Sequence, residues 1–258
     1  MKDSGLSFPE AVKSLAARTG IEVPDEDMSP EARQRLQRRE ALLSINREAV
    51  AFYQEQLRGP SGKAAREYLR RREMPPETVE RFRIGFAPDA WDRLTEFFAR
   101  RNVSADRVEA AGLIVPRKSG TGYYDRFRNR IIFPIDDARG QIVGLGGRVM
   151  DESQPKYLNS PETELYHKGR TLYGLSVTRS ACRRAGSVFL VEGYFDLLSL
   201  HAHGIENVVA TLGTALTPAH LRLLKGYGRE AILVFDSDTA GVRAAVRSID
   251  RFEAAGMD

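Results

Sequence analysis

"SVFLVEGYFDLLSLHAHG", residues Ser187–Gly204, decides the fold of this chain. Its first seven residues form a nearly continuous apolar run that ends in an acid and a glycine. The rest carries apolar residues at helical spacing and stops at Gly204. A buried strand followed by a helix is the repeating unit of a parallel sheet. The stretch therefore predicts a strand within 187–193 and a helix over 194–204.

The same unit recurs twice toward the C-terminus. "ENVVATLG" (206–213) predicts a second strand, and "TPAHLRLLKGYG" (217–228) predicts a second helix capped by Thr217. "AILVFDSD" (231–238) predicts a third strand, and "TAGVRAAVRSIDRFEAAG" (239–256) predicts a third helix. Three strand–helix units in succession predict a parallel α/β sheet covered on both faces.

The N-terminal part has a different pattern. A long helix is predicted from near Pro30, and short helices separated by turns are predicted between residues 63 and 111. "NRIIFPI" (129–135) and "QIVGLGGRV" (141–149) are strand-like, and "DDARG" between them is typical of a hairpin turn. The predicted fold class is therefore α/β, with an α+β N-terminal subdomain followed by the parallel α/β sheet.

Composition excludes several classes of protein. Of the 258 residues, 42% are hydrophobic and 29% are charged, which is ordinary for a globular protein. No apolar run approaches the roughly 18 residues of a membrane-spanning helix, and no signal-peptide core follows the N-terminus. Cys182 is the single cysteine, so an internal disulfide and a Cys/His zinc site are excluded. We predict a cytosolic protein without zinc and without a membrane partner.

Positive charge is concentrated in one window. The net charge of the chain is +4, and the segment 117–148 carries seven basic and three acidic side chains, an excess of +4 by itself. A local excess of this kind suits a polyanionic partner. A solvated basic face would have the same composition, so charge alone leaves both interpretations open.

Three acids follow the predicted strands. Glu192 follows the first strand, and Asp236 and Asp238 end the third. Ligands of open α/β sheets bind beyond the carboxyl ends of the strands, and residues two apart in extended chain point to the same side. Asp236 and Asp238 should therefore converge, and they face Glu192 if the two strands are neighbours. Asp196, one turn into the first helix, can point back to the same place.

A divalent cation would explain this clustering. Carboxylates that share a small space raise each other's pKa unless a cation compensates their charge. Oxygen ligands without histidine or cysteine favour Mg²⁺ or Mn²⁺ over zinc. The alternative is that Asp236 or Asp238 only caps the following helix. That alternative accounts for one acid and not for two acids facing a third.

These motifs together resemble a known family. "LVEGYFDLLSLHAHGIENVVATLGTALT" and "LVFDSDTAG" resemble the toprim module of bacterial primases, topoisomerases and some nucleases. "RFRNRIIFPIDDARGQIVGLGGRV", "PKYLNSPET", "LYHKGRTLYGL" and "RFRIGFAPDAW" resemble the RNA-polymerase core of DnaG-type bacterial primase. The resemblance runs from "GLSFPEAV" to "FDSDTAG", almost end to end.

The resemblance also implies a division of the chain. Residues 1–29 correspond to the remnant after a zinc-ribbon domain, 30–185 to a basic α+β subdomain, and 186–258 to the toprim module. The zinc ligands of the family are absent from 1–29. In the family the toprim module continues to a further acidic pair and then to a helicase-binding domain. We therefore expect a core fragment or a shortened relative, with weak activity by itself.

The function that the resemblance implies is DNA-directed RNA synthesis. A primase joins ribonucleotides on a single-stranded DNA template by attack of a 3′-hydroxyl on an α-phosphate, which releases pyrophosphate. Glu192, Asp236 and Asp238 would hold the metal ions, and Asp196 would be a secondary ligand or would position a metal-bound water. Expected partners are the DNA template and ribonucleoside triphosphates, with a replicative helicase and a single-strand-binding protein for the full-length protein. The expected location is the replication fork in the cytoplasm.

Basic and polar residues complete the predicted site. Arg126, Arg128 and Arg130 alternate in "RFRNR", so on a strand they would share a face, and their guanidinium groups suit phosphate oxygens. The resemblance places Lys156, Tyr157, Asn159 and Lys168 at the nucleotide site with Arg126 and Arg128. We predict that Arg148 and Arg130 contact DNA phosphates. A salt bridge at a sheet edge is the alternative for Arg130.

Two other functions remain open. A toprim nuclease would not need the basic set proposed for a triphosphate, and a topoisomerase would need a tyrosine nucleophile in an added domain. The other alternative is a non-catalytic fragment of the same ancestry that binds nucleotides or nucleic acid. The presence of Glu192, Asp236 and Asp238 favours an active enzyme.

Overall fold

A computed structural model describes residue 16 and residues 29–213, 215–237 and 239–257 of the chain. Asp238 and most of the segment predicted as 1–29 lie outside these described residues. The chain divides into two compact units, Met1–Ala41 and Leu42–Asp258. Apart from the segment 30–41 of the long helix, the features discussed below belong to the second unit.

The first half of the chain is mainly helical. The long helix begins at Pro30 as predicted, and from Leu42 onward it buries a broad apolar face that includes Leu43, Val50 and Leu57. Four shorter helices follow. The bounds are α1 Pro30–Arg58, α2 Lys63–Arg71, α3 Pro76–Arg81, α4 Arg93–Ala99 and α5 Ala105–Ala110.

An antiparallel sheet occupies the middle of the chain. Its strands pair in the order β1-β4-β5-β6, and β2 pairs separately with β3. The predicted hairpin is confirmed, because β4 and β5 pair antiparallel around a turn in which Asp137 Oδ1 accepts hydrogen bonds from the backbone of Arg139 and Gln141. The bounds are β1 Gly85–Ala87, β2 Ile114–Pro116, β3 Tyr123–Asp125, β4 Arg130–Asp136, β5 Ile142–Val149 and β6 Tyr157–Asn159.

Glycines inside β5 admit aromatic side chains. The run "GLGG" lies within the strand and does not open a helix. A Cβ at Gly146 would lie 2.0 Å from the hydroxyl oxygen of Tyr194, and one at Gly147 would lie 2.7 Å from the Phe127 ring. Glycine in a strand interior often marks such a close approach. These two glycines therefore fix how closely β5 and the rings pack.

The C-terminal part is the predicted parallel α/β sheet. Its three strands are parallel in the order β8-β7-β9, so the first predicted strand lies between the other two. His220 donates its backbone N–H to Thr217 Oγ1 at 3.2 Å, which confirms the predicted cap of α8. The bounds are α6 Leu175–Ala185, β7 Ser187–Val191, α7 Tyr194–Ala202, β8 Val208–Ala210, α8 Pro218–Lys225, β9 Glu230–Leu233 and α9 Thr239–Ala255.

Strand β7 separates two hydrophobic cores. Val188 and Leu190 pack into one core, and Phe189 and Val191 pack into the other. This alternation is the two-residue period of a strand, with both faces covered. The core that contains Phe189 and Val191 also includes side chains of α1 and of the antiparallel sheet. The two sheets therefore pack against common apolar side chains.

Candidate active site

Two acids meet where neighbouring parallel strands end. Glu192 directly follows β7, and Asp236 lies three residues beyond β9. The backbone N–H of Asp236 donates to Glu192 Oε1 at 3.4 Å. Glu192 is half-buried and Asp236 is exposed. The third strand ends at Leu233 and so is shorter than the predicted 231–238, but the structure still brings the Asp236 backbone to the Glu192 carboxylate at the predicted edge of the sheet.

Asp196 points back toward the same edge of the sheet. Its Oδ2 accepts the backbone N–H of Gly193 at 3.0 Å, which caps the first turn of α7. Although the carboxyl reaches solvent, partial burial raises its pKa and the charge of Asp236 raises it further. The hydrogen bond from Gly193 and the charges of Arg148 and Lys156 act in the opposite direction. Asp196 thus lies between a neighbouring acid and two cations.

The donor set fits a hard divalent cation. Glu192, Asp196 and Asp236 offer oxygen atoms only, which suits Mg²⁺ or Mn²⁺. Within the described part of the chain, no three His, Cys, Asp or Glu side chains are arranged closely enough to hold an ion. Asp238, the remaining predicted ligand, lies outside that part. The metal site therefore stays a prediction that rests on donor chemistry and on the contact between Glu192 and Asp236.

Arg148 is enclosed by aromatic rings beside these acids. The residue lies on β5 and is only 7% exposed. Its Cζ lies 5.6 Å from the ring centroid of Tyr68, 5.4 Å from Tyr157 and 5.1 Å from Phe195. Among the described residues its buried Nε has no hydrogen-bond partner. A cation over aromatic faces is attracted by the ring quadrupoles, more strongly when it is desolvated.

Strand β6 and Lys156, the residue before it, form another part of the candidate site. Lys156 is exposed, and Tyr157 stacks on Tyr194 with centroids 5.9 Å apart. Asn159 Oδ1 accepts from the Tyr194 hydroxyl at 2.8 Å, and Asn159 Nδ2 donates to Leu212 O at 3.4 Å. Asn159 therefore ties β6 to the parallel sheet, while Lys156 and Tyr157 remain accessible to a ligand.

The three alternating arginines do not share a strand face, so that prediction is wrong. Residues 126–129 form a bend between β3 and β4, in which Asn129 has a φ of +48°. Arg126 donates to the carbonyl oxygen of Asn159 at 3.0 and 3.2 Å. Arg128 donates to the carbonyl oxygen of Asp125, while Arg130 begins β4 and is buried. The bend separates their side chains into three environments.

The salt bridge that is the alternative for Arg130 does not form among the described residues, although the charge of Asp151 acts on this guanidinium. Its Nη1 lies 3.4 Å from the carbonyl oxygen of Gly147 and 3.5 Å from that of Lys156. Within the described residues Arg130 makes no ion pair. Burial lowers its pKa, and the charge of Arg128 acts in the same direction. Arg130 therefore stabilises the β5–β6 connection through backbone oxygens and contributes positive potential beneath it.

Lys168 lies in a short 3₁₀ turn, residues Lys168–Arg170. Its backbone N–H donates to Glu162 Oε1 at 2.9 Å, and its carbonyl oxygen contacts His220 Nε2 at 2.9 Å. Burial lowers the pKa of His220. These contacts fix the backbone of Lys168, and the residue as a whole is half-buried. No described contact joins that ammonium group to the acids.

Comparison with known proteins identifies the family. The family "DNA primase catalytic core, N-terminal domain" matches residues 52–179, and "Toprim-like" matches residues 189–258. A DNA primase of Synechococcus elongatus is 44% identical over 96% of this chain, and one of Halalkalibacterium halodurans is 42% identical over 98%. A solved DnaG primase catalytic domain bound to single-stranded DNA is 39% identical, with a TM-score of 0.78 over 84% of this chain and 70% of that one.

The chain belongs to the DnaG primase family.

Its match to the DnaG core confirms the predicted resemblance and the predicted fold class. The chain spans 36% and 42% of the length of the two curated DNA primases. The toprim-like match contains Glu192, Asp196 and Asp236. Among the described residues, no helix is both long and apolar enough to cross a membrane.

Trp91 is a further candidate residue of this DnaG core that was not predicted from the sequence. The ring is 56% exposed, and the Cζ of Arg128 lies 4.1 Å from its centroid. Tyr124 contacts the same ring edge-to-face at 5.5 Å. Exposed aromatic rings beside cations are typical of single-stranded nucleic acid sites. The available signal was a tryptophan in a turn, "FAPDAW", that precedes a basic segment.

Proposed function

We propose that this chain is the catalytic part of a DNA primase, which synthesises short RNA primers on single-stranded DNA. One observation carries the proposal. The acids that follow β7 and β9 meet, with Asp196 beside them, and the cations Arg148 and Lys156 act on the Asp196 carboxyl. Carboxylates for metal ions next to cations for a triphosphate are what nucleotidyl transfer requires.

The acids would hold the metal ions of the reaction. Glu192 and Asp236 would be the ligands within the described residues, and Asp238 would be the third. Bound Mg²⁺ or Mn²⁺ would lower the pKa of the attacking 3′-hydroxyl and neutralise the developing charge. Asp196 is held by Gly193 in an orientation that suits a second ligand or a hydrogen bond to metal-bound water. These residues would hold the metal at the carboxyl edge of the parallel sheet.

The cations would hold the triphosphate. The 3′-hydroxyl attacks the α-phosphorus, a new P–O bond forms, and the bond to the β-phosphate oxygen breaks to release pyrophosphate. Lys156 is exposed and can follow the phosphates as a flexible point charge, while the enclosed Arg148 offers a fixed guanidinium. Arg126, Tyr157, Asn159 and Lys168 complete the proposed nucleotide site, with Asn159 acting mainly through its contact with Tyr194.

The template would pass over the basic segment. Trp91 and Arg128 together offer a ring for base stacking and a guanidinium for a phosphate. Arg130 and Arg148 would add positive potential along the β5 side. The solved DnaG relative bound to single-stranded DNA supports this class of partner. In the full-length protein we propose that the partners also include a replicative helicase and a single-strand-binding protein at the replication fork in the cytoplasm.

A single assay tests the proposal. The chain is incubated with a single-stranded template, labelled ribonucleoside triphosphates and Mn²⁺, and dinucleotide and primer products are resolved. Template-dependent RNA products support the proposal. Cleavage of the template instead would indicate a nuclease, and binding without any product on any template would indicate a non-catalytic module.

Nucleotide binding gives an independent test. Lys156→Ala and Lys168→Ala should each weaken triphosphate binding by about 1–3 kcal/mol, the range for hydrogen bonds to charged groups. Glu206→Gln, a surface acid paired with Arg81 and Arg184, is the matched control and should change nothing. Unchanged affinity in a lysine variant would remove that lysine from the site.

A further inference from the structure

An apolar cleft of about 520 Å³ opens between α2, α3 and the end of α1. Its floor is formed by Leu57, Leu69, Met74 and Ile84, which are buried, and by the half-buried Val79. Small-molecule sites are clefts of roughly 300–1,000 Å³ with mostly apolar walls and a few polar groups. None of the residues proposed above for metal, nucleotide or template binding lines this cleft.

Three guanidinium groups line the same cleft. Arg66 and Arg70 lie four residues apart on α2, so they share a helix face, and Arg58 comes from the last turn of α1. Arg66 donates to the carbonyl oxygens of Leu57 and Gly59, the latter at 2.7 Å. These oxygens lie at the C-terminal end of α1, where the helix dipole stabilises a cation. The guanidinium groups of Arg58 and Arg70 make neither a hydrogen bond nor an ion pair with any described residue.

The balance of charge favours an anion. Among the residues that line the cleft, Glu80 on α3 is the single acid against three arginines. Arginine stems can cover apolar surface while their heads remain in water. Covering of apolar surface would explain the position of a single arginine. Here, however, three arginines from two helices line the same apolar cleft. Guanidinium groups bind carboxylate, sulfonate and phosphate oxygens bidentately.

We propose that this cleft binds an amphiphilic organic anion. The apolar body lies on the floor formed by Leu57, Leu69 and Met74, and the acidic head contacts Arg58 and Arg70. Arg66 contributes charge while it keeps its backbone contacts. The site is separate from the acids that follow β7 and β9, so this inference does not depend on the proposed primer synthesis.

The test uses one fluorescent probe, two competing ligands and one local readout. 8-Anilinonaphthalene-1-sulfonate has an apolar ring body and an anionic head, and its fluorescence is titrated with the whole chain. Octanoate and 1-octanol, which share a chain length and differ in charge, then compete with it. Selective methyl labelling of methionine reports on Met74 by NMR. We expect saturable binding, a shift of the Met74 methyl signal, and displacement by octanoate at about tenfold lower concentration than by 1-octanol.

Matched variants decide between this cleft and general attraction to a basic surface. Arg58→Gln and Arg70→Gln should each weaken probe binding by about tenfold, as expected for the loss of one hydrogen bond to a charged group. Glu80→Gln should strengthen binding. Arg71→Gln, an exposed arginine on α2 that does not line the cleft, should leave it unchanged. Thermal unfolding of each variant checks that the helices remain folded.

Several results would overturn the inference. Probe binding without a change at Met74 would place the probe elsewhere. Equal losses in Arg70→Gln and Arg71→Gln would reduce the effect to net charge. Equal competition by octanoate and 1-octanol would show that the arginines do not select an anion.

Discussion

The Cζ of Arg148 lies 5.1 Å from the centroid of the Phe195 ring, which joins strand β5 to helix α7 one residue from Asp196. The Phe195 ring also contacts Tyr68 edge-to-face, with centroids 6.1 Å apart. Arg72 lies over the same two rings, at 5.3 Å from Phe195 and 5.5 Å from Tyr68. Two arginines from different parts of the chain are thus oriented by one aromatic pair.

Removing one of these rings should loosen Arg148. Tyr68→Leu should weaken triphosphate binding by about 0.5–2 kcal/mol, the range for a cation–π contact that is partly desolvated. The measurement is a titration with a fluorescent nucleotide. Phe97→Leu is the matched control, because it removes the contact with Arg101 at 3.7 Å and involves no proposed site residue. Equal losses in both variants would mean that the effect is a general one on stability.

The acids should hold metal together. Glu192→Gln and Asp236→Asn should each lower Mn²⁺ affinity by about 100-fold or more, since even a change in an outer hydrogen-bond partner costs about 10–100-fold. Isothermal titration with Mn²⁺ measures this directly and needs no catalytic activity. Glu230→Gln, an exposed acid at the opposite end of β9, should bind Mn²⁺ as the unaltered chain does. Retained affinity in Asp236→Asn would exclude that residue as a ligand.

The Trp91 ring and the Arg128 charge should affect DNA binding in different ways. Trp91→Ala should lower affinity for single-stranded DNA by about 1–3 kcal/mol, the value of one stacked base, and leave the salt dependence unchanged. Arg128→Gln should flatten the slope of log K against log salt by about 0.7, the contribution of one phosphate contact. Fluorescence anisotropy at several salt concentrations separates the two effects.

The control for DNA binding is Arg184→Gln, an exposed arginine at the end of α6 that pairs with Glu206. It should alter neither the affinity nor the slope. If Trp91→Ala changed the slope instead of the affinity at fixed salt, the ring would only orient Arg128 and would not stack a base.

Asp136 should make stability depend on pH. The carboxyl is buried, pairs with Arg83 and accepts the Ser176 hydroxyl at 2.7 Å. Burial raises its pKa more than these partners lower it, so the folded chain holds the proton more tightly than the unfolded chain does. The contribution of this carboxyl to the free energy of unfolding is therefore full at acidic pH and is lost as pH rises through the raised value.

Asp136→Asn removes this titration. We expect the Tm of the variant, relative to the unaltered chain, to increase as pH rises from about 4 toward neutrality. Thermal unfolding at several pH values measures the difference. Asp89→Asn, on the surface, should give a curve parallel to that of the unaltered chain. A relative Tm that falls with pH would mean that the ion pair with Arg83 outweighs the cost of burial.

Local pattern was sufficient to predict most of the elements of the fold. The order of strands and helices after Ser187 follows from apolar runs, glycine stops and the Thr217 cap, each of which acts within a few residues. The meeting of Glu192 and Asp236 was predictable because carboxyl ends of parallel strands share one edge. These inferences require no knowledge of distant contacts.

Other features depend on partners far away in the chain. The alternation of arginines predicts a strand, but Arg126 and Arg128 lie in a bend in which the backbone of Asn129 has a φ of +48° and leads the chain into β4. The enclosure of Arg148 combines rings from residues 68, 157 and 195. No spacing rule connects such positions. The sequence identifies Arg148 as a cation, but its burial among these rings depends on contacts that only the folded chain makes.

The contact between Gly146 and Tyr194 has a consequence for the history of this protein. The tyrosine belongs to the toprim-like module, whereas the glycine belongs to the hairpin that precedes it. With only 2.0 Å between a Cβ at residue 146 and the tyrosine oxygen, the hairpin tolerates no larger residue while that ring stays in place. A recombination event that exchanged one module for a homologue would succeed only if both positions travelled together. A matched pair of this kind would tie the inheritance of the hairpin to that of the toprim-like module.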